Sequence, residues 1–178
     1  MLLYLFSIGE NGTGHYGKEV RQAGVLYMPA TYEAVGADPG TSREQIEKEH
    51  QKMLRMSGLL LDEEEVLRAM EPTLGGRFIP VSVKKDGTMA AYSSVASEKQ
   101  FGLLRRHAEK LLLDMGKELL SGELKMNPFK QGADSCEYCE YRAACRFDVA
   151  SGTGRRYQAI KDAEIWNLLG EEERHVDK

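Results

Sequence analysis

The chain has 178 residues, 42% of them hydrophobic and 29% charged, the balance of a folded globular protein rather than a disordered tail or a membrane protein. Its 24 basic side chains against 28 acidic ones leave a net charge of −4, which excludes a globally basic nucleic-acid binder. Three cysteines, all within ten residues, exclude a secreted disulfide framework.

The first segment is the apolar run Met1-Leu2-Leu3-Tyr4-Leu5-Phe6-Ser7-Ile8. It has neither the charged lead-in nor the cleavage site of a signal peptide, and it falls far short of the ~20 apolar residues of a membrane span. The expectation is a buried helix in a cytoplasmic protein, closed by a loop from Gly9 to Gly17, where four glycines gather. Gly24 to Ala30 reads as a short buried strand ended at Pro29. Thr41 and Glu44 read as a capping box for a charged surface helix, and a further helix is expected from Asp62, with Glu65 three residues on, to its stop at Pro72. Phe78 to Val83 alternates like an edge strand with Pro80 inside it, and Asp86-Gly87 reads as a turn, a candidate hairpin tip. Ser97 and Gln100 box the start of the clearest helix. Its expected buried stripe is Phe101, Leu104, His107, Ala108, Leu111, Leu112, Met115 and Leu119, and Gly122 ends it.

Charge is uneven along this path. Residues 1–124 carry a net −3, residues 125–161 a net +3 and residues 162–178 a net −4. The one basic stretch also holds the cysteines, Cys136, Cys139 and Cys145, in a C-x2-C-x5-C pattern. A two-residue gap lets a tight turn point two sulfurs into one pocket, and three thiolates held together need a cation to offset their repulsion. Structural zinc and an iron–sulfur cluster both want four ligands. For zinc, His15, His50, His107 and His175 are the available fourth donors, and none stands at a finger-like spacing. Phe129, Tyr138, Tyr141 and Phe147 are candidates to shield such a site, with Arg142 and Arg146 to balance its charge. Lys125, Lys130, Arg142, Arg146, Arg155 and Arg156 are the candidate phosphate contacts on DNA.

These stretches carry a resemblance. Ala23-Gly24-Val25-Leu26-Tyr27, Gly58 to Met70, Ile79-Pro80-Val81 with Lys84-Lys85-Asp86-Gly87, Ser94-Val95-Ala96-Ser97, Asn127-Pro128-Phe129-Lys130 and the cysteine run to Asp148 are similar, in order and spacing, to the C-terminal end of AddB- or RexB-type subunits. Those are the nuclease-bearing subunits of bacterial ATP-dependent helicase–deoxyribonuclease complexes that process double-strand breaks. The resemblance implies an α+β (mixed α/β) fold. It would be the C-terminal portion of a restriction-endonuclease-like PD-(D/E)XK, RecB-like nuclease domain with helical elaborations, stapled by a [4Fe-4S] cluster. Residues 1–30 would be the last helix and strand of the nuclease core, and 31–124 a helical elaboration with a short strand pair. The cluster segment would be 125–161, followed by an acidic tail at 162–178. Cys136, Cys139 and Cys145 match three cluster ligands, while the family's fourth lies far upstream.

The same resemblance makes Tyr4 the tyrosine of a Gln-x-x-x-Tyr motif whose glutamine would fall one position before Met1. The Mg²⁺-binding carboxylates and lysine of the family precede that motif, so no catalytic residue is assigned here and the chain alone is expected to be inactive. The implied partners are DNA, an AddA-type helicase–nuclease subunit and the upstream remainder of the AddB-type chain, with no membrane. Two other readings stand beside this one. One is a divergent nuclease using Glu123 and Lys125, although roughly two Glu-x-Lys triplets are expected by chance in such a composition. The other is a small zinc-stabilised DNA- or protein-binding module. With part of the parent sheet missing, Val25, Leu26 and Ile79 are expected to lack full packing partners, which predicts a marginal, aggregation-prone protein.

Overall fold

A computed structural model describes residues 1–30, 34–123, 126–129, 135–145, 147, 154–156 and 158–176. In chain order the elements are α1 (Leu2–Tyr16), β1 (Gly24–Tyr27), α2 (Arg43–Met53), β2 (Ser57–Leu61), α3 (Glu64–Met70), β3 (Val95–Ala96), α4 (Glu98–Ser121), α5 (Arg142–Cys145) and α6 (Asp162–Val176). Helices thus combine with a small mixed sheet, an α+β fold. The chain divides into two compact units, Met1–Ala108 and Glu109–Lys178, and the division falls inside α4. Among the described residues no helix is long and apolar enough to cross a membrane.

The sheet of the first unit has the order β1-β2-β3. β1 runs antiparallel to β2, with Val25 opposite Leu59 and Leu26 opposite Gly58, and β2 runs parallel to β3, with Leu60 opposite Val95. β2 and β3 are not legible as strands in the sequence. Leu59-Leu60-Leu61 is a short buried run, and such a run has no period of its own to separate strand from helix. The core is Leu60, Leu67, Leu74, Ile79 and Val81, with Leu26, Met56, Val83, Met89 and Val95 packed against it. Ile79 and Val25 are therefore buried, against the expectation of missing partners, because β2 supplies the wall that the sequence does not reveal. β1 is an edge strand whose Tyr27 is exposed.

Several local expectations shift. The first helix does not stop at Gly9. It continues through the glycine-rich stretch to Tyr16 and ends at Gly17, whose φ of 69° lets its N–H close on Thr13 O at 2.9 Å. Gly9 and Gly12 act as packing devices, whereas Gly14 has open space beside it. A Cβ at Gly9 would strike Gln22 and one at Gly12 would press on Val20 at 3.0 Å, so their absence lets residues 18–22 return along the helix. Glycine weakens a helix interior by about 1 kcal/mol relative to alanine, a cost that this close packing offsets. The α2 box forms one residue later than expected, between Ser42 and Gln45 rather than Thr41 and Glu44, since Thr41 instead bonds back to Asp38 O. α2 buries none of its residues, as expected of a surface helix. α3 starts at Glu64 rather than at Asp62, because Leu61 still belongs to β2.

The Phe78–Val83 segment is not a continuous edge strand. Among the described residues its strand-like pairing is limited to isolated bridges from Ser82 to Gly75 and Val83 to Met89. Pro80 has no N–H to give a ladder, and the N–H groups of Arg77, Phe78 and Ile79 all go to the Glu71 carboxylate, at 3.0, 3.0 and 3.1 Å. The turn after it forms as expected: Lys84 N reaches Thr88 O at 2.8 Å, and Gly87 takes a φ of 82°.

The Ser97–Gln100 capping box is present in both directions, with Ser97 N on Gln100 Oε1 at 2.8 Å and Gln100 N on Ser97 Oγ at 3.3 Å. Replacing Ser97 by alanine is expected to cost about 1 kcal/mol of stability, read from a urea melt. The buried stripe of α4 is shorter than expected. Of the expected residues only Phe101 is buried, Leu104, His107 and Ala108 are half-buried, and Leu111, Leu112, Met115 and Leu119 are exposed, Leu119 by 82%, while Leu103, outside the expected stripe, is buried. Helical periodicity shows which residues share a face, but not how far along the helix a neighbour covers that face.

Candidate functional site

The cysteines lie in the second unit, on two turns followed by a helical turn. Cys139 N donates to Cys136 O at 3.5 Å, and Arg142 N to Cys139 O at 3.1 Å. α5 then carries Cys145, whose N–H closes on Tyr141 O at 2.8 Å. α5 is the single turn Arg142–Cys145. All three thiols are free of disulfides. Cys136 is half-buried and Cys139 and Cys145 are exposed, and Cys145 Sγ lies 3.5 Å from Met126 Sδ.

An anchor precedes the cysteines. Ser135 Oγ donates to Phe129 O at 2.7 Å, Arg155 N donates to Pro128 O at 2.9 Å, and Arg155 Nε donates to Asn127 O at 2.9 Å. Asn127-Pro128-Phe129 therefore ties the start of the cysteine run to the segment after it. Pro128 can only accept at its backbone, and it does so.

Chemically the three thiols suit a thiophilic centre: soft sulfur donors select iron–sulfur clusters or zinc. The backbone presents them from one ten-residue segment, as such ligands require. Among the described residues, however, no three His, Cys, Asp or Glu side chains are gathered as a metal-holding group. The aromatic shield is partly elsewhere. Phe129 and Phe147 are half-buried, but Tyr138 and Tyr141 are 89% and 75% exposed, because a single helical turn has no second layer to cover them.

Of the candidate DNA contacts, Arg142, Arg155 and Arg156 are exposed, with Arg155 partly committed to Asn127 O. Lys125, Lys130 and Arg146 lie outside the described residues. Tyr4 is on α1 and 72% exposed. Glu123 follows the end of α4 at Gly122 and is exposed, while its would-be partner Lys125 is outside the described residues.

Some features of the first unit escape sequence reasoning because distant segments build them. A cavity of about 370 Å³ is lined by Gly9, Glu10, Arg21, Gln22, Phe101 and Arg105 among others. Its two arginines are committed, Arg21 to Glu63 with Nη1 at 2.6 Å from Oε2, and Arg105 to Glu10. Glu71 is the buried acid of this unit, 2% exposed. Burial pushes its carboxyl up, but the N–H donors of Arg77, Phe78, Ile79 and Gly75 outweigh that and hold it below the usual glutamate value.

Residues 1–146 match the PD-(D/E)XK nuclease superfamily. Along 97% of its length the chain is also similar to proteins named as the B subunit of an ATP-dependent helicase/deoxyribonuclease: 32% identical to that of Thermoanaerobacter sp. strain X514, 35% to that of Acetivibrio thermocellus and 36% to that of Clostridium novyi. It spans 15–16% of the length of these relatives. With most of the chain matched, including α1, the sheet and the cysteine turns, this protein belongs to the PD-(D/E)XK nuclease superfamily.

Proposed function

We propose that these 178 residues serve the exonuclease domain of a helicase/deoxyribonuclease of this kind, within its B subunit, acting on DNA ends in double-strand break repair by recombination. In this reading they supply the staple and part of the DNA-positioning surface, in the cytoplasm, beside an AddA-type helicase–nuclease subunit. The observation that carries the proposal is the set of three disulfide-free thiols on consecutive turns within a chain that matches the helicase/deoxyribonuclease relatives almost end to end. Cys136, Cys139 and Cys145 would hold three corners of a [4Fe-4S] cluster. When bound, the cluster supplies a covalent cross-link rather than a reaction step. The chain's own residues position it: Ser135 and Arg155 fix the turn on Asn127-Pro128-Phe129, and α5 orients Cys145. Mg²⁺ chemistry on the phosphodiester is assigned to the family's catalytic carboxylates and lysine, not to Glu123 and Lys125.

The test is anaerobic purification with iron and sulfide analysis. Broad absorbance near about 400 nm together with iron and sulfide is expected, and a Cys139→Ser variant should lose most of both. Colourless protein with one zinc per chain would replace this reading with the zinc-stabilised module. Mg²⁺-dependent DNA degradation by the pure chain would restore Glu123 and Lys125 as candidates.

A further inference from the structure

Two exposed aromatic rings in the first unit each carry an arginine. The Arg77 guanidinium carbon lies 4.9 Å from the centre of the Phe78 ring, and that of Arg55 lies 5.8 Å from the centre of the Tyr92 ring. Phe78 is 50% exposed and Tyr92 65%, which is unusual for large rings whose neighbours Ile79 and Val81 are almost completely buried.

The segments that carry the two pairs are joined by hydrogen bonds. Arg55 Nε donates to Ile79 O at 3.4 Å while its guanidinium reaches the Tyr92 ring, so this side chain links the Phe78 segment to the Tyr92 loop. Met56 N donates to Phe78 O at 2.9 Å, Ser94 N to Pro80 O at 2.9 Å, and Ser93 Oγ both accepts from Ser82 N and donates to Ser82 O. Glu71 clamps the backbone under Phe78. The same segment runs directly into the turn that carries exposed Lys84 and Lys85. Among the described residues none of these four cations forms an ion pair with a carboxylate. The nearby carboxylates of Glu71 and Asp86 are hydrogen-bonded to neutral donors, backbone N–H groups and Thr88, and pair with none of the four.

Exposed rings held by guanidinium groups, beside cations without ion-pair partners, suit a flexible polyanion with flat bases. Bases stack on the rings and on arginine planes, while the cations track the phosphates. Tyrosine, phenylalanine and arginine are also common at protein–protein interfaces, but lysine is depleted there, and Lys84 and Lys85 stand exposed on the turn that continues this segment. We propose that Arg55–Tyr92 and Arg77–Phe78 form a stacking platform for single-stranded nucleic acid, with Lys84 and Lys85 serving its backbone. The inference rests on the DNA-processing reading only for its choice of ligand, and it names residues other than those of the basic cysteine segment.

The experiment is fluorescence anisotropy of a labelled oligothymidylate with the full 178-residue chain at low salt, repeated with a blunt duplex of the same length. Tighter binding of the single strand is expected. Phe78→Ala and Tyr92→Ala should each weaken it about tenfold, while Phe78→Tyr and Tyr92→Phe, which keep a stacking face, should leave it within about twofold. Urea melts of all four variants establish that each is folded. Affinity unchanged in the folded Phe78→Ala/Tyr92→Ala double variant would overturn the proposal. So would the absence of single-strand binding by the parent chain, or preference for the duplex. Binding lost only on reversing Arg155 and Arg156 to glutamate would move the strand to the cysteine segment, overturning this inference while leaving the proposed function intact. Iron and sulfide content reads that function separately.

Discussion

Gly58→Ala is expected to destabilise the protein by about 4 kcal/mol or to prevent folding. Gly58 pairs with Leu26 in the middle of the β1–β2 ladder at a φ of 150°, and a Cβ there would stand 2.0 Å from Val25 O. No rotamer relieves a clash between a Cβ and a backbone carbonyl, so β1 must move away and uncover Leu60 and Val25. Gly24, at the other end of the same ladder, has the same problem: its Cβ would lie 2.4 Å from Leu59 O. Gly87 is the control. Its φ of 82° also favours glycine, but nothing lies within 4 Å of a Cβ placed there, so Gly87→Ala should cost only the conformational strain of about 1–2 kcal/mol. Urea melts of the three proteins measure both effects. A Gly58→Ala variant as stable as the parent would show that β1 does not hold this register.

The second large effect is at Glu71. Glu71→Ala removes the acceptor for the N–H groups of Arg77, Phe78 and Ile79, and at about 1–3 kcal/mol for each unsatisfied buried donor, softened by water entry at the exposed Arg77 end, a net loss of about 3 kcal/mol is expected. Glu71→Gln keeps one acceptor oxygen but turns an amide donor toward N–H donors, for about 2 kcal/mol. A pH dependence follows. Burial disfavours the anion, but four backbone N–H groups outweigh it, so the folded carboxyl titrates below its ordinary value. A group depressed on folding contributes its stability in full above the unfolded value of about 4.3, and loses it as pH falls through the lower folded value. Melts across pH 7 to 2 should therefore show a loss at the acid end that the Glu71→Gln variant lacks. Parallel pH profiles in the two proteins would remove Glu71 from this role. Because Glu71 also clamps the segment under Phe78, its loss should weaken the stacking platform as well.

The site is legible to different depths in its different parts. The cysteine spacing announces a thiol-rich ligand segment, and Cys136 and Cys139 stand on the expected tight turn, since i to i+3 hydrogen bonds are local and the sequence specifies them locally. The Ser97–Gln100 box and the Asp86-Gly87 turn are readable for the same reason. The platform of Arg55, Arg77, Phe78 and Tyr92 is not, because its members come from three segments joined only by long-range hydrogen bonds such as Arg55 Nε to Ile79 O. The half-buried state of Phe129 and the exposure of Tyr138 and Tyr141 also depend on what covers a given turn, which no local pattern records.

The sequence alone determined the chemical class of the residues, the Ser97–Gln100 start of α4 and the order of motifs that the chain follows, which are readable without knowing what packs across the core. Tertiary structure decided the rest. It made Leu59-Leu60-Leu61 a central strand by pairing it with Gly24–Tyr27 on one side and Val95–Ala96 on the other. It converted Gly9 and Gly12 of α1 from helix breakers into contact points, and it left the second half of the α4 stripe uncovered. It also gave Glu71 three backbone donors from a segment six to eight residues away, which is why that segment is a clamped loop and not the edge strand its alternation suggests. The physical reason is common to all four: burial and hydrogen-bond satisfaction are settled by whichever segment comes to lie alongside, and no periodicity within a few positions names that partner.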